Sequence, residues 1–496
     1  MMNETRLRWL LLVALGAAAA LGQAPFDVSF VMVVAMAIAV RLGSFAVTPR
    51  AAAACGFAFG FGYFAVALHW IVSPFLVDVA RHGWMAPFAV VMMATGGATF
   101  WSIAFWGARR LSRGIWALVP CCTAVELARA YIFTGFPWAS PAQAMVDKLP
   151  GQALAWVGPH GLNLMIFAAA VLMASLVAKP WRLRFVALVP LGMVMLEPSM
   201  ANRVENTGTV LRLIQPNAPQ HEKWDPDKIG IFYKRQLLFT AAEPDAQLGA
   251  PDLIIWPETA IPWGLHGSEV ILEEISAAAK GVPVILGAQR NEDQRHFNAL
   301  AVLGPLGEIT QIYDKYHLVP FGEYVPFGDF LARFGIYGMA PQHGAGFSKG
   351  AGPQLLDLGP LGRALPLICY EAVFAQDVNA APARPDFIIH ATNDAWFGTH
   401  AGPQQHLAQA RMRAIEQGLP VARAANTGIS AIIDPHGRVL DSLGLGQAGY
   451  VDAALPQALA PTLYSKTGDV PLTLLVVALL CFAVMRRVTR QRRLSE

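Results

Sequence analysis

The stretch Leu365-Pro366-Leu367-Ile368-Cys369-Tyr370-Glu371 decides how this chain is read. A short apolar run ends abruptly at a cysteine, with an acid two residues on. Such a run reads as a buried strand that delivers its last residue to a site. In open α/β sheets the carboxyl ends of strands are where ligands bind. A free cysteine is most often a small buried hydrophobe, so Cys369 alone decides nothing. It is, however, the one cysteine of the polar region between about residues 204 and 468. Cys55, Cys121, Cys122 and Cys481 all lie in strongly apolar segments.

Two other apolar runs end in the same way. Leu253-Ile254-Ile255-Trp256 stops at Pro257 and is followed at once by Glu258; the run 309–313 is followed by Asp314-Lys315-Tyr316-His317. Each alone reads as a loop acid or a solvated lysine. Together, three strand ends carry a carboxylate, an ammonium and a thiol. A thiol is a poor nucleophile until it is deprotonated, and a nearby cation favours the thiolate. Lys315 supplies that charge and an oxyanion partner. Glu258 takes the thiol proton and returns it to a leaving group. The backbone N–H of Tyr370 is a second oxyanion donor. The implied chemistry is acyl transfer through a thioester. His317, His390, His400 and His406 leave a Cys–His dyad open as an alternative. No pair of residues has the compact spacing of a zinc site, so neither metal nor cofactor is expected.

Composition sets the surroundings. The 496 residues are 55% hydrophobic and only 14% charged, with net charge +3; a soluble domain carries nearer a quarter charged residues. The apolar excess is clustered, which indicates a membrane protein with a soluble part. No basic run with interleaved aromatics occurs outside the C-terminal tail, so nucleic acid is not an expected partner. Apolar blocks fall near 9–22, 28–41, 52–72, 86–108, 115–133, 161–178, 184–198 and 470–485. The first also mimics a signal peptide, but another apolar block follows after five residues, which favours a retained helix.

Eight crossings agree with the distribution of basic residues. With the N-terminus cytoplasmic, the inner loops hold Arg6, Arg8, Arg41, Arg50, Arg109, Arg110, Arg113, Lys179, Arg182 and Arg184, and the tail holds Arg486, Arg487, Arg490, Arg492 and Arg493. The outer connections between the first seven hold only Arg81 and Lys148. Both termini are then cytoplasmic and the soluble region lies outside the cytoplasm. Glu126 and Arg129, at i and i+3 in the fifth block, are expected to pair, because charges inside a membrane are costly. The expected domains are 1–203 (helices 1–7), 204–468 (catalytic) and 469–496 (helix 8 and basic tail).

Within 204–468, apolar β-branched runs alternate with helical patterns. The expected strands are 209–214, 253–256, 284–286, 299–303, 309–313, 364–368, 387–390, 421–424 and 430–433. The expected helices are 229–242, 269–279 and 403–417. This alternation indicates an α/β sheet covered by helices.

Longer motifs carry a resemblance. They are Trp256-Pro257-Glu258-Thr259; the run from Tyr313-Asp314-Lys315-Tyr316-His317 through Pro320-Phe321-Gly322-Glu323-Tyr324-Val325-Pro326; Ile368-Cys369-Tyr370-Glu371; Asn393-Asp394-Ala395-Trp396-Phe397-Gly398; Arg413-Ala414-Ile415-Glu416; and Thr134-Gly135-Phe136-Pro137-Trp138. Over essentially the whole chain they resemble the apolipoprotein N-acyltransferases, the membrane-integrated branch of the nitrilase superfamily. One departure is Gly418-Leu419-Pro420, where an arginine is expected before the proline.

The resemblance implies a bundle of eight transmembrane helices plus a nitrilase-like αββα sandwich. It implies transfer of the sn-1 acyl chain of a phospholipid to the N-terminal amine of a diacylglyceryl-cysteine on an apolipoprotein, in the bacterial inner membrane with a periplasmic catalytic domain. By position, Glu258 is the base, Lys315 the oxyanion stabiliser and Cys369 the nucleophile. Glu323 holds Lys315, Tyr370 and Glu371 shape the pocket, and Trp224 lies on the substrate side. A water-using amidase and a non-catalytic scaffold are the alternatives. The apolar stretch holding Phe327, Phe330, Phe334, Ile336 and Tyr337 is expected to be a lid dipping into the lipid interface.

Overall fold

In the computed structural model, the described residues are 4–198 apart from 178, 181, 182 and 184, then 204–326 apart from 294, then 346–495. The expected lid residues Phe327, Phe330, Phe334, Ile336 and Tyr337 lie outside them. The chain forms two compact units. One comprises residues 1–202, 400–408 and 462–496, the other residues 203–399 and 409–461.

The first unit is helical. Among the described residues, four segments are long and apolar enough to cross a membrane: Pro49–Ala67, Val79–Leu111, Leu149–Leu176 and Val470–Thr489. These are four of the eight crossings expected from the sequence. The second block forms a shorter apolar helix, Ser29–Ser44. The fifth block gives only the 14-residue helix Leu118–Tyr131, which carries Glu126 and Arg129. Around residues 184–198 the longest helix among the described residues is Leu188–Met193, six residues that include Pro190 and Gly192. Helices pack closely where glycine permits. A β-carbon on Gly16 would sit 2.0 Å from the Phe59 carbonyl oxygen, and one on Gly62 would sit 2.0 Å from that of Val13. Small residues let backbones meet where lipid offers no hydrophobic drive to association.

Glu126 and Arg129 pair at 2.6 Å, almost fully buried. Trp101 Nε1 donates to Glu126 Oε1 at 2.8 Å. Arg129 Nη1 donates to the carbonyls of Phe136 and, at 2.8 Å, Trp138. The pair thus secures the loop that follows its own helix. Trp138 is fully buried and donates to Gln405 Oε1 at 2.8 Å.

The second unit is built on two six-stranded sheets. The first has the order β12-β1-β2-β3-β4-β5, with β1 Asn206–Gln215, β2 Leu253–Ile255, β3 Val284–Glu292, β4 Arg295–Leu303, β5 Ile309–Asp314 and β12 Gly449–Pro456. The second has the order β11-β10-β9-β8-β7-β6, with β6 Leu356–Asp357, β7 Arg363–Ile368, β8 Phe387–Thr392, β9 Val421–Ala425, β10 Ser430–Ile433 and β11 Val439–Leu443. The pairs β1–β2, β2–β3, β7–β8 and β8–β9 are parallel. Parallel neighbours need crossover connections. These contain helices Ile229–Ala241, Glu269–Ala278, Ala375–Asn379 and Gly402–Gln417.

The period-two alternation of the strands sorts side chains into two cores. Leu253 and Ile255 meet Leu211, Ile285, Ile368 and Ile389 in a core shared by both sheets. Ile254 and Trp256 point the other way and pack with Tyr233, Leu272 and Ile275 of the covering helices. The nitrilase-like two-sheet architecture is therefore as expected. Strands β6, β11 and β12 went unread. In β11 the burial runs exposed for four of its five residues, so it lacks the apolar run that marks a buried strand. Pro366 is tolerated in β7 because β6 pairs only with Arg363 and Ala364, so the missing N–H costs no bond on that side.

Candidate active site

Left-handed backbone occurs at Cys369 itself and near the other two expected catalytic residues. Cys369 has φ 49°, immediately after β7. Thr259, next to Glu258, has φ 45°, and Phe321, in the loop after Lys315, has φ 62°. Left-handed backbone is costly for residues with a β-carbon and persists only where surroundings enforce it. Part of that enforcement is visible on β3, where a β-carbon on Gly287 would lie 2.6 Å from Glu258 Cα. Only glycine lets the Glu258 corner settle onto that strand.

The structure brings Glu258, Lys315 and Cys369 together. All are buried, at 6%, 1% and 5% exposure. Lys315 Nζ lies 3.4 Å from Glu258 Oε1 and 2.9 Å from Glu323 Oε1. Burial works against the Lys315 ammonium, but Glu323, Glu258 and Cys369 outweigh it and raise its pKa. The lysine therefore stays charged. Burial pushes the Cys369 thiol up, and Glu258 and Asp394 add to this, while Lys315 and a hydrogen bond with Thr392 pull it back. The resting thiol is protonated and needs a base at the moment of attack.

Glu371 is a clamp. Its Oε2 accepts from Ile368 N at 2.7 Å, just before the cysteine. Its Oε1 accepts from Tyr316 N at 2.7 Å, His317 N at 3.1 Å and the Tyr313 hydroxyl at 2.8 Å. One carboxylate thus ties the cysteine corner to the lysine loop. Burial raises its pKa to about 7, against the hydrogen bonds and the Lys315 charge. Tyr370 packs edge-on to Phe374 with ring centroids 4.9 Å apart. Trp224 lines a small pocket with Lys223, Phe232, Tyr233, Gln236 and Pro257.

Several participants went unread in the sequence. Asn298 Nδ2 donates to Glu258 Oε1 at 2.7 Å and to Glu323 Oε1 at 3.0 Å. Its signal was a lone amide inside the apolar run of β4. Asn393 N donates to Glu258 Oε2 at 2.9 Å. Lys223 donates to the Glu258 carbonyl at 3.3 Å and to Thr259 Oγ1 at 3.1 Å. Burial lowers its pKa to about 8, opposed by the Glu258 charge.

The histidine alternative fails on hydrogen bonding. Arg423 Nη1 lies 2.7 Å from His390 Nδ1, and His390 Nε2 lies 3.0 Å from the Cys369 carbonyl oxygen. Guanidinium only donates, so Nδ1 must accept and Nε2 must carry the proton. His390 is thus engaged with the Cys369 backbone carbonyl. His317 pairs with Asp377 at 2.7 Å and stacks on Phe374, while His400 and His406 belong to the helical unit. At the Gly418 departure, Gly418 adopts φ 65°. Arg384, distant in sequence, caps the carbonyls of Gln417 at 3.1 Å and Gly418 at 3.4 Å.

Comparison with known proteins gives the family. The family model described as the apolipoprotein N-acyltransferase N-terminal domain matches residues 15–172, and that described as carbon-nitrogen hydrolase matches residues 196–463. The apolipoprotein N-acyltransferase of Rhodopseudomonas palustris is 36% identical over 95% of this chain and 94% of its own length. That of Bradyrhizobium diazoefficiens is 37% identical over 98% and 96%. The chain belongs to the apolipoprotein N-acyltransferase family. As a member it is an acyltransferase that joins a membrane-helix region to a carbon-nitrogen hydrolase domain. Among solved structures, an amidase from Nesterenkonia sp. AN1, with the acetamide moiety of fluoroacetamide added at its active-site cysteine, matches 55% of this chain and 98% of its own. The identity is 19% and the TM-score 0.38.

Proposed function

We propose that this apolipoprotein N-acyltransferase moves the sn-1 acyl chain of a phospholipid, through a Cys369 thioester, to the N-terminal amine of a diacylglyceryl-cysteine. The observation that carries the reading is the buried Glu258–Lys315 pair at 3.4 Å, with both charges acting on the Cys369 thiol. Glu258 takes the thiol proton as sulfur attacks the ester carbonyl. Lys315 and the Tyr370 N–H hold the oxyanion. The tetrahedral adduct collapses, the ester C–O bond breaks, and Glu258 returns its proton to the departing lysophospholipid oxygen. The acceptor amine then attacks the thioester and gives a proton to Glu258, and the thiolate leaves and is reprotonated. Glu323 fixes Lys315 and Glu371 fixes both loops, while Trp224 stands on the substrate side. No step calls for a metal or cofactor.

The membrane arrangement in this reading is eight crossings, seven within 1–203 and one within 469–496. The catalytic domain, 204–468, faces the periplasm and both termini face the cytoplasm of a bacterial inner membrane. It is supported by the basic-residue distribution and by the apolar segments described above.

Incubation of the purified protein with acyl-labelled phospholipid and a diacylated lipopeptide tests the reaction. One acyl mass increment on Cys369, passing to the peptide amine, is the expected result. Labelled free fatty acid with no labelled peptide would mean hydrolysis instead. Glu258→Gln and Cys369→Ser should each abolish the increment, because a serine hydroxyl is far less ionised than a thiol.

A further inference from the structure

The end of β8 carries a buried polar chain that leads to the sulfur. β7 and β8 are parallel with Ile368 opposite Ala391, so the next residues along, Cys369 and Thr392, come side by side. The Thr392 hydroxyl hydrogen-bonds the Cys369 thiol. Thr392 Oγ1 also donates to Asp394 Oδ1 at 2.9 Å. Asp394 Oδ2 is held by Arg423 Nη2 at 2.5 Å. Thr392, Asp394 and Arg423 have 0% exposure. A β-carbon on Gly428 would fall 2.2 Å from Asp394 Oδ2, so the chain is built to admit that carboxylate.

A hydroxyl has one proton and two lone pairs. In the resting state Thr392 gives its proton to Asp394, and its oxygen can accept the S–H. A thiolate has no proton to give. The structure assigns Thr392 a catalytic duty: as Glu258 takes the thiol proton, the hydroxyl turns its own proton from Asp394 to the sulfur and stabilises the thiolate. Asp394 keeps Arg423 as its partner throughout, so the turn leaves no lone buried charge. The same donor serves when the thiolate is expelled from the thioester. No bond to carbon changes and the Thr392 proton never leaves its oxygen. The other groups acting on the thiol are Glu258, Lys315 and Asp394. The inference rests on Cys369 being the nucleophile.

The test is the rate of Cys369 alkylation by iodoacetamide in the full-length protein, followed by peptide mass across pH 6 to 10 (a range of about four units). A hydrogen bond to a charged group is worth about a tenfold effect or more. Thr392→Val should therefore slow alkylation about tenfold at neutral pH and move the profile about one unit alkaline. Thr392→Ser should restore the original profile. If Thr392→Val does not accumulate as folded protein, Thr392→Ala carries the same expectation. A valine profile superimposed on the wild type overturns the assignment. So does a serine variant impaired as much as valine, which would make the γ-methyl packing decisive. Alkylation needs no lipid, so absence of acyl transfer in the wild type would count against the proposed function alone.

Discussion

Replacing Asn298 by leucine removes the amide that links the two site carboxylates while keeping the same branched heavy-atom outline. Asn298 is 3% exposed, and its side-chain oxygen has no hydrogen-bond partner. The site therefore uses only its donors, at 2.7 Å to Glu258 and 3.0 Å to Glu323. A hydrogen bond to a charged acceptor is worth about 1.5–3 kcal/mol. Losing the one on Glu258 should slow acylation of Cys369 by roughly 10- to 150-fold. The assay is rapid quenching of enzyme with phospholipid, with the acyl adduct on Cys369 counted by intact mass. An Asn298→Leu variant within about twofold of the wild-type rate would refute the argument.

Two further outcomes follow from the same geometry. Glu371→Ala strips the acceptor from Ile368, Tyr316, His317 and Tyr313. At about 1–3 kcal/mol for each buried donor left unpaired, it should lower the melting temperature of the detergent-solubilised protein and abolish the acyl adduct. Because the Cys369 thiol is raised by burial and by Glu258, its alkylation in the lipid-free enzyme should climb about tenfold per pH unit past pH 9 without a plateau. The raised thiol also means that stability present below the unfolded thiol pKa is lost as pH rises above it, which a melting curve across that range would show.

Local composition was enough to reveal much of the chain. Three apolar runs ending at Glu258, Lys315 and Cys369 were legible because a buried strand needs continuous apolar residues, and a charge or thiol at its tip interrupts them visibly. The pairing of Glu126 with Arg129 was legible because a membrane interior leaves isolated charges no other stable arrangement. Edge strand β11 was illegible for the converse reason: largely exposed to solvent, it needs no apolar signature, and β6 is only two residues long.

The membrane count was read from charge placement and apolar blocks, which do not encode helix length. Pro190 and Gly192 leave only a short helix in the seventh block, and the fifth gives 14 residues. What only the tertiary structure decided are the contacts between residues distant along the chain. Asn298 bridges two carboxylates, Glu371 ties two loops, and the Arg423–His390 bond removes a histidine from candidacy as a base. Each depends on which strands lie side by side, and strand order is fixed by packing both sheets onto one core rather than by any local run of residues.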